Sequence, residues 1–223
     1  MSEQKSVKKE PIIPLIVYSV MFYSAWTLYH FFLKPVVNGI DNEIIAALIG
    51  DGLIKNLIWT VPAIVLITKY KDHLFIKPNE MFKWNTECVK YLLIFPFMAA
   101  YVILGIVIHG GDIKISDSFS VVNIITVLFV GVTEEFVFRG WLLNASAKRN
   151  QELAIGINAV MFLAVHFPKW IAQGEFITNF ASFGFLSIIL LSCIFSYVFI
   201  NTKNIILPIL MHMFWDLLIF MLY

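Results

Sequence analysis

The stretch "FSVVNIITVLFVGVTEEFVFRGWLL", residues 119–143, decides the fold because it is apolar along almost its whole length. A helix needs about 20 such residues to cross a hydrocarbon core of about 30 Å. The same stretch carries Glu134, Glu135 and Arg139. A charged side chain at that depth costs at least about 2.5 to 3.5 kcal/mol and usually faces a protein interior, where it finds a partner. The stretch therefore predicts a transmembrane helix that presents ionisable groups to other helices.

The composition of the whole chain is that of an integral membrane protein. Of its 223 residues, 60% are hydrophobic and only 14% are charged, which is too apolar for a soluble domain of this size. The formal net charge of +1 provides no basic surface, so we expect no nucleic-acid partner. The two cysteines, Cys88 and Cys193, form neither a paired framework nor a CxxC motif.

Apolar runs separated by short polar segments predict about seven transmembrane helices, with an eighth left open. The runs lie near residues 12–33, 44–68, 90–108, 119–143, 153–171, 180–200 and 204–222. Asp51 and Lys55 interrupt the second run, and they either pair with each other or precede a span that starts near Leu53. The fold class we expect is all-α, a polytopic helical bundle forming a single integral membrane domain over residues 1–223.

The distribution of loop cations predicts the orientation. With the N-terminus in the cytoplasm, eleven of the sixteen lysines and arginines fall inside, three fall outside, and Lys55 and Arg139 lie within spans. The outside group is Lys34, Lys114 and Lys169. The inside group is Lys5, Lys8, Lys9, Lys69, Lys71, Lys77, Lys83, Lys90, Lys148, Arg149 and Lys203. We therefore expect a multi-pass protein of a cell membrane with a cytoplasmic N-terminus.

Three predicted spans carry ionisable residues at membrane depth. Besides the charges of the fourth span, the fifth has His166, and the seventh has His212 and Asp216. At about 1.5 Å per residue, Glu134, His212 and His166 lie roughly 15, 12 and 20 Å from the cytoplasmic ends of their helices. One slab of the membrane therefore contains all these groups, which makes a shared site possible.

Helical spacing separates the two glutamates. Glu135 and Arg139 are four residues apart and share a helix face, whereas Glu134 points about 100° away. We expect Glu135 to pair with Arg139, and Glu134 to face the cavity as an unpaired carboxylate that can take up and return a proton. His212 and Asp216 are also four residues apart. The aspartate either fixes the tautomer of the imidazole or contributes a hydrogen bond of its own.

Such side chains can activate water in two ways. In the first, Glu134 is the general base, helped by His166, while His212 and Asp216 stabilise the oxyanion of a tetrahedral intermediate. In the second, the histidines and a carboxylate bind a divalent metal such as zinc, which makes bound water more acidic. The chain has no HExxH motif, and these three spans offer no convincing serine or cysteine nucleophile beside a histidine.

Three motifs together resemble a known family. They are "EEFVFRG" at 134–140, "FLAVH" at 162–166 and "HMFWD" at 212–216, in this order on separate apolar spans. They resemble the EExxxR, FxxxH and HxxxN/D motifs of the CAAX protease and bacteriocin-processing (CPBP or Abi) family of intramembrane proteases, also described as type II CAAX prenyl endopeptidase-like. The resemblance covers residues 119–222, which it identifies as the catalytic core, and the first three spans are generic.

The resemblance implies a membrane-embedded endopeptidase of a bacterial plasma membrane, which hydrolyses a hydrophobic, lipid-anchored or prenylated peptide in the bilayer. By position, Glu134 and His166 resemble the residues that activate water, and His212 and Asp216 resemble the oxyanion-stabilising pair. Glu135 and Arg139 complete the first motif. Asparagine is frequent in relatives where this chain has Asp216, and an acid is a poor oxyanion donor unless protonated. The use of a metal such as zinc, or of none, stays open.

Two other functions fit the same residues. A non-catalytic bacteriocin self-immunity or scaffold protein would keep the cavity for binding, and a transporter would use buried acids and histidines as a proton relay. The lack of a detectable repeat disfavours the transporter. Each pair of residues taken alone could also be structural, so the prediction of catalysis depends on the presence of all three motifs in order.

Overall fold

Seven long helices form a bundle in the computed structural model, which describes residues 11–223. Six of them are long and apolar enough to cross a membrane, and a seventh, α7 (Ile206–Leu222), is apolar but shorter. The six are α1 (Ile12–Asn38), α2 (Glu43–Lys69), α3 (Thr86–Ile108), α4 (Val121–Ser146), α5 (Gln151–Gln173) and α6 (Gly184–Thr202). The described residues contain no strand. The predicted all-α bundle of about seven spans is confirmed.

One end of the bundle, which we call the lysine-rich end, holds the connections 70–85, 147–150 and 203–205. Two buried asparagines join these connections. Asn144 Nδ2 donates to the carbonyl of Ile76 at 2.9 Å, and Asn204 Nδ2 donates to the carbonyl of Lys83 at 3.0 Å. The inside lysines expected from residue 69 onward therefore share one end, while Lys5, Lys8 and Lys9 lie outside the described residues.

The opposite end, which we call the lysine-poor end, holds the connections 39–42, 109–120 and 174–183. The amide of Ser116 donates to the carbonyl of Met221 at 2.8 Å, which ties the second of these connections to the end of α7. Between the two ends, large apolar side chains such as Ile13 and Phe97 are exposed on the outer surface of the bundle. Such a surface suits lipid, and the chain is a multi-pass membrane protein.

Helix α4 lies at the centre of the bundle. It contacts α2, α5, α6 and α7, whereas α3 packs at the periphery against α6 and α7. The approach of α4 to α7 depends on Gly131, where a Cβ atom would lie 2.5 Å from the side chain of Met213. Because α4 meets protein and not lipid along its charged stretch, it can carry ionisable side chains at membrane depth.

Three helices contain a π-helical segment near the ionisable residues. The segments are Tyr29–Leu33 in α1, Leu48–Ile54 in α2 and Phe136–Leu143 in α4. A π-helical turn disturbs the usual pattern of backbone hydrogen bonds and is frequent at functional sites. In α4, the carbonyl of Phe138 accepts a hydrogen bond from Asn158 Nδ2 at 2.8 Å, which joins α4 to α5.

Helix α5 is interrupted at His166. Val165 and His166 form a turn between the helical segments Gln151–Ala164 and Phe167–Gln173. Pro168 explains the interruption, because it has no amide hydrogen to donate to the preceding turn and lies in the first turn of the resumed helix, where proline is tolerated. At this interruption, the carbonyl of Phe162 accepts a hydrogen bond from His166 Nδ1 at 2.9 Å.

Candidate active site

A cavity of about 770 Å³ lies between α1, α2, α4, α5 and α7. Of the six residues predicted to form the site, Glu134, His166, His212 and Asp216 line this cavity. Glu135 and Arg139 lie behind its wall and have 0% exposed surface. The helix halves that line the cavity are those that lead to the lysine-poor end. The structure thus brings together polar groups from three helices that are distant in sequence.

Glu134 is paired, so the expectation of an unpaired carboxylate was wrong. Its Oε1 accepts a hydrogen bond from Lys55 Nζ at 2.6 Å, and both side chains are buried. Asp51, one expected partner of Lys55, instead accepts from Thr126 Oγ1 at 3.1 Å. Both interpretations of Lys55 were therefore wrong: α2 begins at Glu43, well before Leu53, and directs Lys55 toward α4.

Glu135 has two partners on one oxygen. Its Oε1 accepts from Arg139 Nη1 at 2.9 Å and lies 2.8 Å from His212 Nδ1. The predicted ion pair between Glu135 and Arg139 is confirmed. Because a carboxylate only accepts, Nδ1 of His212 carries the hydrogen and donates it. Glu135 therefore fixes the tautomer of His212, which the sequence had offered as one function of Asp216.

Arg139 connects α4 to α6. Its Nη2 donates to the carbonyl oxygen and to Oγ of Ser192, at 3.0 and 2.9 Å. Ser192 was missed in the sequence because the serines of the sixth span lie far from the motifs along the chain. One signal could have found it: Ser192 and Ser196 are four residues apart on an apolar helix, and both are buried.

His212 presents its other nitrogen to the cavity. Nε2 lies 3.5 Å from Oδ2 of Asp216 and 3.9 Å from Oε2 of Glu134. These separations exceed the usual length of an N–H···O hydrogen bond, which is about 2.7 to 3.2 Å. The imidazole and the two carboxylates therefore surround a common space, and separations of this kind suit a bridging water or a reacting group.

His166 contributes a second proton acceptor. The carbonyl of Phe162 only accepts, so Nδ1 of His166 carries the hydrogen of their 2.9 Å contact. In the neutral imidazole, Nε2 then keeps a lone pair. His166 lines the same cavity as Glu134. The cavity is therefore lined by two groups that can accept a proton, a carboxylate and an imidazole.

The donor set does not fit a bound metal. Among residues 11–223, no group of three or more His, Cys, Asp or Glu side chains is arranged to hold a metal ion. The ammonium of Lys55 lies 2.6 Å from Oε1 of Glu134, where it would repel a cation. Of the two routes to water activation, the arrangement favours the direct one.

Lys55 and His30 are among the cavity residues that the sequence did not predict. Lys55 was treated as an interruption of a span, and His30 lies near the end of the first apolar run. His30 lines the cavity and is buried, and its Nε2 atom has no hydrogen-bond partner among residues 11–223. Neither residue belongs to one of the three motifs, and only the packing of α1 and α2 against α4 brings them to the cavity.

Comparison with known proteins identifies one family. Residues 116–218 match the family model described as type II CAAX prenyl endopeptidase Rce1-like. The match includes all three motifs and leaves out α1, α2 and α3, on which Lys55 and His30 lie. No curated protein and no solved structure matches the chain.

Proposed function

We propose that this membrane protein, whose residues 116–218 match the family model of type II CAAX prenyl endopeptidase Rce1-like proteins, is an intramembrane endopeptidase that activates water directly. The observation that carries the proposal is the convergence of Glu134, His166, His212 and Asp216 on one cavity at membrane depth. The buried pair of Glu135 and Arg139 supports these residues from behind the cavity wall.

Water is activated by Glu134 and His166. Lys55 occupies Oε1 of Glu134, so Oε2 is the oxygen that remains for water. A water that donates to this oxygen and to Nε2 of His166 directs its lone pair at the carbonyl carbon of the substrate. Glu134 takes the proton as the new C–O bond forms. General-base assistance of this kind contributes about 10²- to 10⁴-fold to a rate.

His212 stabilises the tetrahedral intermediate. With Nδ1–H bound to Glu135, the imidazolium form presents Nε2–H to the oxyanion, and Asp216 balances its charge. The C–N bond then breaks, and Glu134 returns its proton to the departing nitrogen. The products are a peptide with a new carboxylate and a peptide with a new amine, so one water molecule is consumed in each cycle.

The substrate is a hydrophobic or lipid-anchored peptide, of which a prenylated peptide is one kind. Apolar walls that include Trp26, Trp59 and Val130 support this class of substrate. The substrate enters from the lysine-poor end, where Lys34 and Lys169 line the mouth of the cavity. With the N-terminus in the cytoplasm, this end faces away from the cytoplasm.

A cleavage assay tests the proposed function. Purified protein is incubated with hydrophobic peptides, with and without a prenylated cysteine, and both fragments are identified by mass spectrometry. We expect the wild type to cleave members of the panel, and Glu134→Gln to lower kcat by at least about 10²-fold. Glu87→Gln is the matched control, because Glu87 also pairs with a lysine, at 2.7 Å, but on the surface. Equal cleavage by wild type and Glu134→Gln, or no cleavage by the wild type, contradicts the proposal.

A further inference from the structure

Lys55 is a buried cation in the cavity, outside the region that matches the family model. It lies on α2, has 3% exposed surface and lines the cavity. Its Nζ is 2.6 Å from Oε1 of Glu134, and 79 residues separate the two along the chain. A buried ammonium is costly unless it is paired. Such a pair can hold two helices together, and it can also fix the position of the Glu134 carboxylate during the reaction.

Two tryptophans confine the ammonium. Nζ lies 4.6 Å from the ring centroid of Trp59 and 5.6 Å from that of Trp26. A lysine at these distances from an indole face gains a cation–π attraction, which is stronger where water is excluded. Rings from α1 and α2 thus hold the ammonium against Oε1 of Glu134.

The backbone of α2 allows this placement. Two glycines in its π-helical segment permit close packing on the neighbouring helices. A Cβ on Gly50 would lie 3.0 Å from the hydroxyl oxygen of Tyr29, and a Cβ on Gly52 would lie 3.2 Å from the ring of Phe129. Lys55 follows the segment directly. Close contact with both α1 and α4 at this level brings the lysine within reach of Glu134.

Lys55 contacts only one oxygen of Glu134. An ammonium acts as a point charge, whereas a guanidinium fork tends to bind both oxygens of a carboxylate. With Oε1 held by Lys55, Oε2 is the oxygen that faces Nε2 of His212, at 3.9 Å. A carboxylate held in this way presents one oxygen to the ammonium and the other to the cavity.

We propose that Lys55 is a positioning residue of this site, which binds Oε1 of Glu134 and thereby keeps Oε2 directed at the water. The proposal rests on the proposed function of Glu134 as general base. During the reaction the water proton goes to Oε2 while Lys55 stays on Oε1. The carboxylic acid then still faces the cavity when it returns its proton to the departing nitrogen.

Substitutions at Lys55 separate positioning from a purely structural function. Lys55→Met removes the charge and keeps much of the length, and Lys55→Arg keeps the charge. We expect Lys55→Met to lower kcat by about 10²-fold, the order of effect of small misplacements in active sites, while KM changes little. We expect Lys55→Arg to unfold at the temperature of the wild type, yet also to lose kcat, because the guanidinium covers Oε2 as well. Lys90→Met is the matched control, because Lys90 pairs with Glu87 in an exposed contact.

Combining Lys55→Met with Glu134→Gln tests whether Lys55 acts through Glu134. If Lys55 acts through Glu134, adding Lys55→Met to Glu134→Gln leaves the residual rate unchanged. A Lys55→Arg enzyme with the kcat of the wild type overturns the proposal, as does a further fall in the residual rate of the double variant. If Lys55→Met does not fold, the comparison of Lys55→Arg with the wild type still decides. A Glu134→Gln enzyme as active as the wild type would instead refute the proposed function itself.

Discussion

His212 Nδ1 lies 2.8 Å from Oε1 of Glu135, an oxygen that also accepts from the guanidinium of Arg139. This one relationship gives the two adjacent glutamates of α4 different environments. Glu135 is enclosed by protein and orients an imidazole, whereas Glu134 lines the cavity and is held by Lys55. The two carboxylates are therefore not expected to replace each other in any variant.

Glu135→Gln is predicted to destabilise the protein more than Glu134→Gln. Removal of one partner from a buried ion pair costs about 3 to 5 kcal/mol. Glu135→Gln removes the charged partner of both Arg139 and His212 inside the protein, whereas Glu134→Gln removes only that of Lys55, which lines the cavity. The free energy of unfolding of both variants in detergent, relative to wild type, measures the difference.

Glu87→Gln provides the reference for a surface pair, and we expect its effect to be about 1 kcal/mol or less. Equal losses of stability in Glu134→Gln and Glu135→Gln would contradict the different environments assigned to the two residues.

The spans and the first ion pair could be predicted because they depend on local properties. Apolar runs of sufficient length predict membrane helices wherever the helices pack, and Glu135 and Arg139 meet through helical spacing alone. The likeness of three short motifs to a family was enough to select four residues that line the cavity, namely Glu134, His166, His212 and Asp216. These inferences needed no knowledge of which helices are neighbours.

The partners of these residues could not be predicted, because they depend on how helices pack. Lys55 meets Glu134, and Ser192 meets Arg139, across 79 and 53 residues of chain. Regular spacing at 3.6 residues per turn also fails in the π-helical segments, where the angular positions of following side chains change. The carboxylate expected to be unpaired, Glu134, therefore has the buried cation of Lys55 beside it.

His166→Ala is predicted to reduce catalysis much more than stability. In the part of the chain that the structure describes, its imidazole makes one hydrogen bond, to a backbone carbonyl, and such a bond contributes about 1 kcal/mol. As a proton acceptor beside Glu134, however, it should contribute about 10²- to 10⁴-fold to kcat. The cleavage rate and the unfolding temperature of the same preparation measure both effects.

His109→Ala serves as its control, because His109 makes the same kind of contact, to the carbonyl of Gly105, on an exposed site. If the His166→Ala enzyme cleaves as fast as the His109→Ala enzyme, His166 does not take part in water activation.

Metal removal is predicted to leave the activity intact. The ammonium of Lys55 lies beside Glu134, and the cavity has no donor cluster arranged for a metal within the described part of the chain. Cleavage is measured after dialysis against a strong chelator and again after zinc is added back. Loss of cleavage on dialysis, followed by recovery with zinc, would show that water is activated by a metal.

The mouth of the cavity is predicted to face away from the cytoplasm. Single cysteines are introduced at Ile177, which is 80% exposed at the lysine-poor end, and at Lys77, exposed at the lysine-rich end. Cys88 and Cys193 are replaced beforehand. A membrane-impermeant maleimide added to intact cells should label Ile177→Cys and spare Lys77→Cys. The reverse pattern would place the mouth of the cavity in the cytoplasm.

The most direct test of water activation by Glu134 is a single turnover in water labelled with oxygen-18. The enzyme is in excess over an intact peptide that it is known to cleave. Direct attack by water predicts that the heavy oxygen appears in the new carboxylate of the product, and that the enzyme peptide containing Glu134 stays unlabelled. Heavy oxygen in the carboxyl group of Glu134 would mean that this residue attacks the substrate itself, and would contradict its assignment as a general base.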